Sequence, residues 1–436
     1  MRKFLTALTC ILAVTSSAAS AAVFSVSKAT DSNDGVCDLD CSLREAIVAA
    51  NANAGADAIH FALSGVEPFV IGAVGLLPPI DDSVTIDGYS QASSAPNNAE
   101  FGSNAVIQIE LRNISGVGIG MALCAPDITV RGLAITGFGF SALHTSGNGP
   151  LSCSALGSNL RVEGNFIGLQ ADGLTVRANV IGIVVSGATT QVGGPALAQR
   201  NLIAGNGAFG VLFEGSSLSG SSAFGNFIGT DRSGLLDRGN GEAGVRINAA
   251  ADIAVGAAGA PNFIAFNGRG SHAAGFSQRA DLGFNDYFAN DTLGIDLSNG
   301  SQPDGVTPND ADDVDFGSNG LQNFPVLNSV QRSADGIHLE GTLDVPLDAL
   351  ATPYRIDIHA SAQCDANGSG EGDSLLGSAV VNLTQVSGES FNFEIVTTQT
   401  LPVNSFITAV ATGPSGSSEF SRCVQFDTSL FTDGFE

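Results

Sequence analysis

The sequence predicts an all-β fold: a right-handed parallel β-helix followed by a small immunoglobulin-like β-sandwich. Three observations carry this. Segments near the middle recur at one fixed offset. The composition favours short strands between tight turns, with 55 glycines, no tryptophan, 44% apolar and only 14% charged residues among 436. The strand pattern then changes after Pro325.

The repeat comes first because it sets the architecture. Gly164-Asn165-Phe166-Ile167-Gly168 returns as Gly225-Asn226-Phe227-Ile228-Gly229, 61 residues on. Asn201-Leu202-Ile203-Ala204 returns as Asn262-Phe263-Ile264-Ala265, and Arg177 and Asn179 as Arg238 and Asn240, at the same offset. Gly-apolar-x-apolar runs start at Gly182, Gly210 and Gly244, with Asn-x-Ile segments between them. The expectation is three coils of roughly twenty residues per unit, the size of a β-helix rung. Asn165, Asn201, Asn226 and Asn262 are expected to stack their amides in a hydrogen-bonded ladder. Strand-like alternation at Val84–Gly88, Val106–Leu111 and Ile128–Ile135 extends the stack upstream, and Leu293–Leu297 closes it. The β-helix is thus expected over 61–324.

A solenoid needs covered ends. Ser42–Asn51 reads as a short amphipathic helix, with Ser42 as N-cap and Glu45 completing a capping box. It forms the expected N-terminal cap, 23–60. Residues 1–22 read as a signal peptide: Arg2 and Lys3, an apolar run Phe4–Val14, and small residues Ala19-Ser20-Ala21. Export through the Sec pathway to the exterior or cell surface follows. Cys10 would leave with the peptide. No later run reaches eighteen uninterrupted apolar residues, so no transmembrane segment is expected.

Six cysteines remain, in local pairs that suggest disulfides Cys37–Cys41, Cys124–Cys153 and Cys364–Cys423. Fifteen connectivities are open to six cysteines. A zinc site is the rival, although no histidine stands at ligand spacing.

The formal net charge of −26 falls further once Arg2 and Lys3 are removed. Such a surface repels phosphate backbones and anionic lipid, which argues against nucleic acid as a partner. The densest acidic run is Asn309-Asp310-Ala311-Asp312-Asp313-Val314-Asp315. Asp304, Asp310, Asp312, Asp313 and Asp315 are candidate calcium ligands, the alternative being a solvated acidic linker. No organic cofactor is expected.

After Pro325, longer alternating runs at Tyr354–His359, Phe391–Ile395 and Phe406–Ala411 give about seven strands, the expected sandwich over 325–427. Residues 428–436 read as a C-terminal tail.

Cys41-Ser42-Leu43-Arg44-Glu45-Ala46 resembles the signature of the CSLREA domain of exported bacterial proteins. The repeats resemble right-handed β-helix proteins of the pectin-lyase-like superfamily, whose Gly-Asn-x-Ile-Gly-Thr-Asp motif stands complete at Gly225–Asp231. The resemblance implies architecture but no single activity, since that superfamily includes lyases, hydrolases, epimerases and adhesins.

No aspartate ladder stands out at coil spacing, and catalytic residues stay unassigned. Of five histidines, His272 has the most suggestive neighbours, Arg269, Asp281 and Asp286, in an expected long loop. The expected function is non-catalytic binding of extracellular polysaccharide or a cell surface by a monomer. The alternative is a polysaccharide lyase or glycoside hydrolase.

Overall fold

The computed structural model describes residues 20–430 apart from 146–152, 154–156, 188, 217, 219, 333–335, 347–351, 366–367, 383–388, 397–400 and 402–403. Residues 1–19 of the expected signal peptide and 431–436 of the expected tail therefore lie outside the described residues. Among the described residues, no helix is long and apolar enough to cross a membrane.

The first two-thirds is a parallel β-helix of three sheets. The first runs through strands Val23–Val26, Asp57–Phe61, Val84–Asp87, Thr129–Arg131, Leu160–Glu163, Thr190–Gly193, Ser222–Phe224 and Ala254–Val255. The second runs from Phe69–Ala73 to Asn285–Phe288 and the third from Ile119–Ala122 to Ile295–Leu297. Every pairing within them is parallel, so like residues stack. Ile59, Ile86, Val130, Val162, Val192, Ala223 and Val255 form one interior column. Ile71, Leu111, Ile135, Ile167, Ile203, Ile228, Ile264 and Tyr287 form a second. These side chains are almost wholly buried in one continuous core. Apolar burial along the axis is the main stabilising term.

The register corrects the coil count. Phe166 pairs with Leu202 and Leu202 with Phe227, so one 61-residue unit holds two coils, not three. The Gly-apolar-x-apolar runs and the Asn-x-Ile segments belong to different sheets of the same coil. The 28- and 34-residue spacings of those runs were already the coil period.

From Asn165 onward, two corners of each coil are held by asparagine. In the first column Asn165 donates its main-chain N–H and Nδ2 to Asn201 Oδ1 (2.9 and 3.2 Å). Asn201 bonds Asn226, Asn226 bonds Asn262, and Asn262 bonds Asn285 in the same way. Each Nδ2 also donates to a carbonyl of the coil before, as Asn226 does to Val192 (2.9 Å). A second column, unanticipated from the sequence, runs Asn179, Asn206, Asn240, Asn267 and Asn290. Gly229 shows why glycine closes the motif. Its φ is +97°, and a Cβ there would lie 1.9 Å from the Ala265 carbonyl oxygen.

The stack begins at Val23, not near residue 61. Val23–Val26 pairs in parallel with Asp57–Phe61, which pairs with Val84–Asp87. The intervening helix, Leu43–Ala52, lays Leu43, Ala46, Ile47 and Ala50 over the core. Its capping box is complete: Glu45 N–H donates to Ser42 Oγ (3.2 Å), and Ser42 N–H to Glu45 Oε2 (2.7 Å). The run Ile128–Ile135 is split by Gly132 (φ +72°) into Thr129–Arg131 and Leu133–Thr136 of different sheets.

The C-terminal part is a sandwich. One sheet orders Glu389–Val396, Gly336–Leu343, Val326–Arg332 and Asp427–Leu430; the other orders Ser374–Asn382, Pro353–Ser361, Phe406–Gly413 and Gly416–Ser417. Leu339, Tyr354, Ile356, Ile358, Ile407 and Ala409 fill the space between. The last strand reaches Leu430, three residues into the expected tail. Disulfides join Cys37 to Cys41, Cys124 to Cys153 and Cys364 to Cys423.

Replacing Asn226 with alanine strands two buried donors of Asn201 and the Val192 carbonyl. Unsatisfied buried groups cost about 1–3 kcal/mol each, so Asn226→Ala is expected to lower the unfolding free energy by about 3 kcal/mol or more in guanidinium titration. A loss below about 1 kcal/mol would show that the column is not stabilising.

Candidate functional site

The residues with the most chemistry gather where the coil stack meets the sandwich. Parallel register sets His272 beside Asp296 on the third sheet. Arg269 Nε donates to Asp296 Oδ2 (2.9 Å), and His272 Nε2 lies 2.8 Å from Ser298 Oγ. Burial, then Arg246 and Arg269, push His272 down to about 3, so the ring is neutral across the physiological range. Burial raises the Asp296 carboxyl while Arg269 opposes the rise.

The expected neighbourhood of His272 does not assemble. His272 sits in the strand Ser271–Ala274, not in a loop. Asp281 bridges to the first sheet and is clamped by Arg355 of the sandwich (2.6 and 2.8 Å). Asp286 lies on the second sheet and accepts from the Leu375 N–H (2.9 Å). Residues close in sequence are carried to three faces because one coil turns through all three sheets.

Two cavities adjoin at this seam. One of about 380 Å³ is lined by Arg269, Asn290, Asp291, Thr292, Asp296 and Asp365, among others. The other, about 330 Å³, is lined by Phe288, Asn290, Gln363, Asp365, Glu371 and Asp373 with three further residues. They share Asn290 and Asp365. Burial, then neighbouring carboxylates, raise Asp365 to about 6 and Glu371 to about 8. Asp373 is raised by burial. Amides, carboxylates and one guanidinium over an apolar margin form a surface suited to hydroxyl-rich ligands.

A second groove, about 250 Å³, runs along the outer wall of the second sheet. Register aligns Ala134, Phe166, Leu202, Phe227 and Phe263 on that wall. Ala105 and Ile107 cover its upper part. Below them Phe101, Arg200, Phe227, Phe263 and Asp286 border the open groove. The Arg200 guanidinium lies over the Phe227 ring at 4.7 Å and donates to the carbonyls of Ala99, Glu100 and Gly102. The sequence carries the signal: the residue before each of Ile135, Ile167, Ile203, Ile228 and Ile264 is apolar, although alternation turns it outward.

The acidic loop brings together three of its five expected ligands. Asp310, Asp313 and Asp315 each place a carboxylate oxygen within 4.8 Å of the others. Asp304 instead accepts from the Asn299 N–H (3.1 Å), and Asp312 points outward with φ +61°. Asn309 and Asn323 brace the loop through paired bonds to Phe324 and Asp310. Asp310 Oδ1 and Asp315 Oδ1 are shut from solvent without a hydrogen-bond donor. Burial raises Asp313 to about 7 and Asp315 to about 6, helped by the other carboxylates.

Solved structures offer slight likenesses. The enzymatically active domain of tailspike protein 2 of bacteriophage CBA120 is 10% identical, with a TM-score of 0.27 over 87% of this chain and 73% of that one. Full-length tailspike protein 2 of the Escherichia coli O157:H7 bacteriophage CAB120 is 8% identical, with a TM-score of 0.19 over 85% of this chain and 60% of that one. At such scores neither says anything of function, and the β-helix here rests on its own strand pairing. No family model and no curated protein matches the chain.

Arg269→Ala would leave Asp296 buried without its cation, a loss of about 3 kcal/mol for a buried pair. The double variant R269A/D296N is expected to regain much of it. Urea titrations of both variants check this, and equal stability of R269A and the parent would refute the pairing.

Proposed function

We propose that this is a secreted or cell-surface β-helix protein that binds a hydroxyl-rich extracellular polysaccharide without cleaving it. The observation that carries the reading is the pair of adjoining polar cavities at the seam, joined through Asn290 and Asp365. Carboxylate and amide pairs recognise vicinal hydroxyls, and Phe288 offers an apolar edge for a sugar ring. Charge narrows the class. Asp291, Asp296, Asp365 and Asp373 face one guanidinium, and the chain carries a net charge of −26. Neutral polymers fit that field better than polyanions.

Two neighbouring features support an extracellular setting. The three disulfides suit an oxidising compartment. The helix after Cys41 covers the top of the stack, which supports assigning that segment to the CSLREA class. Export by the Sec route is part of the same proposal.

Asp310, Asp313 and Asp315 suit a Ca²⁺ ion bracing the connector. Oxygens bound to one Ca²⁺ lie 2.3–2.6 Å from it, hence at most about 5 Å apart, and these three meet that limit. The two buried oxygens without donors are the kind of groups a cation satisfies. Calcium is expected to raise the melting temperature and EDTA to reverse the rise, with Asp313→Asn abolishing the response. A melting temperature indifferent to both would remove calcium from the reading.

The binding test uses a panel of neutral and acidic polysaccharides with Ca²⁺ present. Retention on neutral polymers is expected, with no unsaturated products or new reducing ends. Gln363→Ala and Asp365→Ala are expected to weaken retention about tenfold, equivalent to about 1.4 kcal/mol, with little change in melting temperature. Product release would replace binding with catalysis. No retention on any polymer would end the proposal.

A further inference from the structure

A parallel stack ends with main-chain donors that have no next coil. Here the sandwich supplies their acceptors, and at two places the acceptor is a glutamate. Asn290, the last rung of the second asparagine column, donates its N–H to both oxygens of Glu371 (2.9 and 3.1 Å). Glu371 thus replaces the next asparagine Oδ1. Leu297, in the last strand of the third sheet, donates to Glu419 Oε1 (2.9 Å), and Thr307 of the connector to Glu419 Oε2 (2.8 Å). Both glutamates are almost wholly buried.

We propose that the seam is a pH-dependent clasp, closed while Glu371 and Glu419 are protonated and loosened as they ionise. The surroundings of each side chain decide this. Glu371 faces Asn290 of the stack together with Asp365 and Asp373 of the sandwich. Glu419 faces Leu297, Thr307, Asp296 and Asp304. The basic groups nearby are bound elsewhere or neutral. Arg269 is bonded to Asp296, and Arg355 to Asp281 and Asp357. His272 and His359 are both pushed down to about 3, chiefly by burial. Asp286, which accepts from Leu375 across the same seam, is raised to about 6 by burial and by Asp373.

The direction follows from linkage. Burial raises Glu371 and Glu419 from an ordinary 4.5 to about 8; the N–H bonds from Asn290, Leu297 and Thr307 favour the ionised form and oppose the rise, while neighbouring carboxylates add to it. The docked state therefore binds protons more tightly than the undocked one. Its advantage is complete below pH 4.5 and declines as pH rises towards 8. Ionised, the two carboxylates bring further negative charge into a seam whose arginines, Arg269 and Arg355, are already paired. The adjoining cavities give water a way in.

Amide hydrogen exchange on the full chain tests this residue by residue. Between about pH 5 and pH 9, protection at the Asn290 and Leu297 amides, corrected for intrinsic exchange, is expected to fall tenfold or more, since one pKa unit is a factor of ten. Protection at the mid-stack Ile203 and Ile228 amides should hold. Glu371→Gln should remove the fall at Asn290, and Glu419→Gln that at Leu297. If one variant does not fold, the other decides. Seam amides that track the mid-stack at every pH, or glutamine variants that keep the fall, would overturn the proposal.

Discussion

Everything in this molecule depends on satisfying main-chain hydrogen bonds at the corners of the coils. A strand two residues long, such as Phe166–Ile167 or Leu202–Ile203, cannot hold register by its own ladder. The chain must turn between such strands inside the fold, where an unpaired amide is costly. From Asn165 onward, asparagine solves this twice per coil. Its Oδ1 accepts from the coil above while its Nδ2 donates to a carbonyl of that coil and to the next asparagine. Each rung therefore completes the bonding of its neighbour. This explains why Asn165, Asn201, Asn226, Asn262 and Asn285 are almost fully buried yet bonded throughout.

The same rule makes the ends distinctive, because the first and last rungs have no neighbour. At the top a helix lies over the core and brings its own capping box. At the bottom the sandwich matches the stack group by group. Gly372 accepts from Tyr287, Ser415 from Arg279, Ser417 Oγ from Leu282, and Ser417 in turn donates to Ala280. Phe420 packs edge-on against Tyr287 at 5.5 Å and joins the core of the stack. The sandwich is therefore a cap by function as well as by position. Its titratable terminators are what tie the seam to pH, which an asparagine in their place would not do.

Repetition made the middle of the chain legible. The 61-residue offset identified the interior isoleucines and one asparagine column, and Pro325 marked the change to long strands. The second column was legible too: Asn179 and Asn240 were matched, and Asn206 and Asn267 stand at the same 61-residue offset outside the Asn-x-Ile segments, while Asn290 alone falls outside the repeat. The coil count failed because a motif in one sheet and a motif in another look like successive coils when read along a line. The start at Val23 was hidden because four residues, Val-Phe-Ser-Val, carry no periodicity of their own. The seam was not legible at all. Glu371 and Glu419 lie some eighty and one hundred and twenty residues from the donors they meet, and nothing local in their sequence sets them apart from exposed glutamates.

The repeat also limits where function can reside. In mid-stack, the recurring asparagines and arginines of the unit are engaged: the asparagines by the corners, Arg177 by the Asn113 carbonyl and Arg238 by the Leu174 carbonyl. Their recurrence reflects the architecture, and a ligand competing for them would break the coil. Groups with capacity left for a ligand must come from residues that occur once. Phe101 belongs to a long excursion between the first and second sheets and borders the outer groove. Asp310, Asp313 and Asp315 belong to the connector. Asp291, Gln363 and Asp365 lie beyond the last repeat, on either side of the seam. The cavities form where the stack stops being periodic, so the physical boundary of the solenoid and its candidate binding surface are the same place.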